Sequence, residues 1–94
     1  MKNENTLKIG YDDGNDIKVK HESVSAIHAY LTMLDGNRFE LMDAGSRNGI
    51  HVNNRRIKNK IIDAKDQVII GGKAIDTPTV LEKAKKLVKS IILT

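Results

Sequence analysis

Hydrophobic and polar positions alternate with a period of two along most of the chain. Thr6-Leu7-Lys8-Ile9 alternates, and so does Ile17-Lys18-Val19-Lys20. His28 to Leu34 and Arg38 to Asp43 read as two further strands, with Phe39 and Leu41 on one face. Short apolar runs recur at Ile50-His51-Val52, Arg55-Arg56-Ile57, Ile61-Ile62, Gln67 to Ile70 and Lys73-Ala74-Ile75. Alternation of this kind marks half-buried strands, because successive side chains leave opposite faces of a sheet. Turn formers separate the runs: Asp12-Asp13-Gly14-Asn15, Asp35-Gly36-Asn37, Asn53-Asn54, Asp63 to Asp66 and Gly71-Gly72. The Asp35-Gly36 pair suits a tight hairpin, and Asn53-Asn54 tolerates positive φ. Many short strands with frequent turns predict an antiparallel sandwich or barrel.

The pattern changes after Pro78. Val80, Ala84, Leu87, Val88 and Ile91 recur at helical spacing, with lysines between them. Thr79 and Glu82 match a capping box, in which each side chain satisfies a backbone donor of the other. An amphipathic helix is predicted over residues 80–92. The expected division is 1–76 for the β-sandwich and 77–94 for the helix or a linker to further sequence.

Composition narrows the class. Ninety-four residues fit one domain, and 39% apolar content supports an aliphatic core. There is no Cys, hence no disulfide and no thiolate metal site. No N-terminal apolar stretch resembles a secretory signal, and no run approaches the roughly 18 apolar residues of a membrane span. A cytoplasmic location is expected. The net charge of +4 favours anionic partners without choosing among them.

Two loop clusters carry the candidate chemistry. The first is Asn15-Asp16-Ile17-x-Val19, followed by Val24-Ser25-x-x-His28-Ala29. The second is Asp43-x-x-Ser46-x-Asn48-Gly49-Ile50-x-Val52-Asn53. Their order and spacing resemble the forkhead-associated (FHA) domain over roughly residues 6–76. That resemblance implies an all-β fold, an antiparallel sandwich of about eleven short strands, followed here by the amphipathic helix. It implies a protein-recognition module whose loops bind phosphothreonine peptides, and no enzyme. Ser25 would donate to the phosphate, Arg47 would reach it, and Asn48 would hold the peptide backbone. Gly10, His28, Ser46 and Gly49 would support the binding loops, His28 by tying the Ser25 loop to its neighbour.

The chain departs from the family pattern at three places. Tyr11 stands where the family has the arginine of a Gly-Arg pair, Ala26 follows Ser25 where Arg or Asn is common, and Ile50 replaces a threonine. Losing a charge-assisted contact forfeits about 1.5–3 kcal/mol. The expectation is weakened phosphate affinity, with Lys18, Lys20, His21 and Arg47 as candidate replacements. A phospho-independent assembly domain is the alternative. Nucleic-acid binding through Arg55, Arg56, Lys58 and Lys60 is less favoured, since no aromatic stands nearby to stack bases. No cofactor is expected. The three histidines lack zinc-ligand spacing, so no metal is expected either. The partner is a protein or peptide, and the domain is expected to be one module of a larger signalling or assembly protein.

Overall fold

The computed structural model describes residues 5–93, with side chains from 5 to 89. Met1 to Glu4 and the Ile91 end of the apolar helix face lie outside those limits. Nine strands form: β1 Thr6–Gly10, β2 Ile17–Lys18, β3 Ala29–Met33, β4 Phe39–Asp43, β5 Ile50–Val52, β6 Arg55–Ile57, β7 Asn59–Ile62, β8 Val68–Ile70 and β9 Lys73–Ala74. The resemblance implies about eleven; among the described residues the pairing supports nine, two of them only two residues long. One sheet runs β2-β1-β3-β4-β7 and the other β6-β5-β8-β9. All pairs are antiparallel except β1–β2, which is parallel, with Ile9 beside Ile17 and Gly10 beside Lys18.

The alternation seen in the sequence fixes the register. Leu7, Ile9, Leu31, Phe39, Leu41 and Ile62 from the first sheet meet Ile50, Val52, Val68 and Ile70 from the second in one apolar cluster. A one-residue slip would turn each of these to solvent, so burial specifies the pairing. Tyr30, Met42 and Ile61 stand on the outer face of the first sheet.

Two turns separate cleanly. Asn53 and Asn54 adopt φ of 51° and 70°, and Val52 pairs with Arg55 across them. Positive φ at both central residues is the two-residue geometry that matches strand twist. The Asp35-Gly36 turn differs from expectation, because neither residue has positive φ. Instead the Asp35 carboxylate accepts the Asn37 and Arg38 N–H groups and pairs with the Arg38 side chain, which closes a wider loop.

The helix, α1 Thr77–Leu93, begins three residues before the predicted start. Asp76 caps it in place of Thr79: its carboxylate accepts the Thr79 N–H at 3.3 Å, and its carbonyl accepts the Val80 N–H at 2.9 Å. Pro78 therefore lies in the first turn, where an N–H has no helical partner to lose. Leu81, Ala84 and Val88 join the core of the sandwich.

Candidate functional site

Three segments meet at one end of the sandwich. They are the end of β1 with its following turn, the segment between β2 and β3, and the segment between β4 and β5. Each is held by backbone contacts that the local residues make possible.

Gly10 ends β1 against the Ser25-Ala26 segment. Tyr11 N–H donates to Ser25 O at 3.0 Å, and Asp12 N–H to Ala26 O at 3.2 Å. The approach is so close that a Cβ on Gly10 would sit 2.3 Å from Ala26 O. Asn15, buried beside them, donates to both Asp12 O and Ala26 O. Asp16 accepts the Lys8 N–H at 2.8 Å, so it acts as a brace.

His28 is fully buried and joins the second segment to the third. Its Nδ1 accepts the Ser25 N–H at 3.0 Å, and its Nε2 lies 2.8 Å from Gly49 O. A nitrogen that accepts an N–H carries no proton, so the proton sits on Nε2 and is donated to Gly49 O. The Ser25 amide is consequently committed to His28, and only the Ser25 hydroxyl remains to serve a ligand.

The loop between β4 and β5 has its own scaffold. Asp43 accepts the Ser46 N–H at 2.9 Å, and Ser46 Oγ accepts the Gly49 N–H at 3.0 Å. Burial pushes the Asp43 carboxyl up, but the Ser46 amide and hydroxyl, with smaller contributions from nearby His28 and the Gly45 amide, outweigh it and hold the group below its ordinary value. A depressed folded value stabilises the fold above the ordinary carboxylate range, and that contribution is lost as pH falls through the folded value. Asp43→Asn is therefore expected to reduce the acid-side decline in stability between about pH 6 and about pH 3, read by urea unfolding at each. An unchanged decline would show that Asp43 is not the titrating brace. Gly49, at φ 76°, takes a conformation that side chains rarely adopt, and Arg56 Nε would lie 2.7 Å from a Cβ there.

The predicted site residues converge at this rim. Arg47 N–H donates to Ser25 Oγ at 3.2 Å, and Asn48 Nδ2 donates to Ser23 O at 2.8 Å. Ser25, Arg47 and Asn48 line a small depression with Glu22, Ser23 and Val24. Arg47 and Asn48 are exposed, and among the described residues Arg47 has no carboxylate partner. Ala26 is exposed, and Tyr11 is 43% exposed.

Of the other candidate cations, Lys20 packs its ammonium 4.6 Å from the centre of the Tyr11 ring. It also bonds the Tyr11 carbonyl and pairs with Asp13 at 2.7 Å. The Lys20 hydrogen bond and charge hold the Asp13 carboxyl below its ordinary value. His21 points its Nδ1 at Ser23 Oγ, which in turn donates to Gly71 O. Ser23 was not among the predicted residues, and Arg56 was named only for the less favoured nucleic-acid reading. A two-residue Asn53-Asn54 turn would have revealed Arg56, because it sets Arg56 opposite His51, near Gly49. Arg55, Arg56 and Lys60 line a separate groove with Val52, Asn53 and Ile57, none of them aromatic.

The FHA domain family model matches residues 7–71. The chain belongs to the FHA family. Solved FHA domains share its fold. The first FHA domain of Rv1747 from Mycobacterium tuberculosis is 34% identical, with a TM-score of 0.62, covering 72% of this chain and 68% of that one. The FHA domain of the CT664 protein from Chlamydia trachomatis is 28% identical, TM-score 0.69, covering 79% and 76%. An FHA domain studied for phosphothreonine-dependent FHA domain interactions is 25% identical, TM-score 0.69, covering 78% and 75%. A search of curated proteins found no match. No helix of this FHA domain, among the described residues, is long and apolar enough to cross a membrane.

Proposed function

We propose that this FHA domain binds phosphothreonine segments of a protein partner at the rim formed by Ser25, Arg47 and Asn48. One observation carries the reading: Ser25 Oγ accepts the backbone Arg47 N–H and so keeps its own proton to donate, in a depression also lined by Arg47, which among the described residues has no carboxylate partner. A phosphate brings about −1.5 to −2 charges and three acceptor oxygens, and it needs short donors and cations in fixed positions. Asn48 is tied to Ser23 through Nδ2, so its Oδ1 can accept a peptide N–H. The solved relative concerned with phosphothreonine-dependent interactions supports the same chemistry.

Phospho-independent protein binding is the second reading. Tyr11 replaces a cation, and Tyr11 and Ile27 expose apolar surface on the segments beside the rim. Aromatic and aliphatic groups of this kind provide affinity without charge. We place the domain as a recognition module of a cytoplasmic signalling or assembly protein, with no catalytic residue, in keeping with the cysteine-free sequence.

Titration of a degenerate threonine peptide library, phosphorylated and unphosphorylated, decides between the two. Phosphorylation is expected to tighten binding at least about tenfold, and Ser25→Ala to remove about fivefold or more of that gain. Equal affinity for both forms would overturn the phosphothreonine reading in favour of the second.

A further inference from the structure

Lys20 is more confined than an exposed lysine normally is. Its Nζ donates to Tyr11 O, lies over the Tyr11 ring at 4.6 Å, and pairs with Asp13 at 2.7 Å. A lysine on a flexible four-carbon stem ordinarily samples many rotamers; here three contacts from two residues hold it. The parallel pairing of β1 and β2 produces this, since Gly10 lies beside Lys18 and Val19 N–H donates to Gly10 O. Tyr11 N–H in turn donates to Ser25 O at 3.0 Å. Bond lengths then keep the ammonium no more than about 10 Å from the Ser25 carbonyl. The cation is thus fastened to the residue that is itself bonded to the Ser25 segment.

We propose that Lys20, seated on Tyr11, supplies a cation to the partner's phosphate, and that Asp13 occupies it until the peptide arrives. The inference rests on the phosphothreonine reading above and assigns Tyr11 a role as the platform. The Lys20 and Asp13 side chains are 48% and 85% exposed, and a pair so open to water is weak. A phosphate carries more charge than a carboxylate and offers three acceptor oxygens, so it displaces Asp13. The ring face of Tyr11 retains the ammonium during the exchange, because its π electrons attract a cation without competing for the phosphate. Arg47 belongs to the loop between β4 and β5, and its backbone N–H bonds Ser25 Oγ, so both cations sit on segments bonded to Ser25.

Two variants should move affinity in opposite directions. With the full chain and the phosphorylated library, Lys20→Met is expected to weaken binding at least about tenfold. Lys20→Arg is expected to retain most of it. Asp13→Asn removes the competitor and is expected to tighten binding about two- to fivefold. Tyr11→Leu keeps an apolar contact but loses the ring, and should weaken phosphopeptide binding. All four are surface changes, and unchanged thermal unfolding checks that they leave the fold intact. Undiminished phosphopeptide affinity in Lys20→Met, or weaker binding in Asp13→Asn, would overturn the role of Lys20 and leave the phosphothreonine reading standing. A parent chain indifferent to phosphate would overturn both.

Discussion

Replacing His28 with alanine is expected to lower the unfolding free energy by about 3–5 kcal/mol. Two effects add. The imidazole is fully buried, so its removal leaves a cavity lined by β3 and the loops on either side. Its loss also strands the Ser25 N–H, and leaves the Gly49 carbonyl with the Gly71 N–H as its remaining partner. An unsatisfied buried group costs about 1–3 kcal/mol. Gln in the same place can reach one of the two partners but not both, and should recover part of the loss. Urea unfolding with an unchanged slope would attribute the change to stability alone. A loss below about 1 kcal/mol would mean that the two loops are held by other contacts. Because the ring spans both segments, phosphopeptide affinity should fall as well, even where the variant remains folded.

Gly10→Ala is expected to be the second most damaging change, at about 2–4 kcal/mol. The φ of Gly10 is not positive, so backbone freedom is not what the position demands. Space is. An added Cβ would lie 2.3 Å from Ala26 O and 2.9 Å from both Ala26 C and Asn15 Nδ2. The first two are backbone atoms fixed by hydrogen bonds, so β1 and the Ser25-Ala26 segment must part. The bonds from Tyr11 to Ser25 and from Asp12 to Ala26 are then lost, and Ser25 and Lys20 separate. Thermal unfolding and phosphopeptide titration should both register the change. Full stability with normal binding in Gly10→Ala would show that the segment can retreat at no cost.

Much of this was readable in the chain. Period-two alternation located every strand to within about two residues. The spacing of Ser25 to His28 and of Ser46 to Gly49 pointed to two loops that act together. Local rules erred where two of them competed. Asp76 and Thr79 are both good caps, and the earlier one prevailed because Pro78 is harmless in a first turn. Asp35-Gly36 suited a tight turn, but the Asp35 carboxylate found three donors in a wider one.

The sequence by itself determined an antiparallel sandwich or barrel, because a period of two leaves one face of each strand in need of burial, and the resemblance to the FHA domain chose the sandwich. That resemblance also pointed to Ser25, Arg47 and Asn48 as candidates, and their types suit a phosphate and a peptide backbone. Only the tertiary structure decided what those groups are free to do. The Ser25 amide is taken by His28, Lys20 is held on Tyr11 against Asp13, and Arg56 folds over Gly49. These contacts link residues between 3 and 9 positions apart. Their formation depends on how closely backbones approach, and residue type alone does not carry that distance.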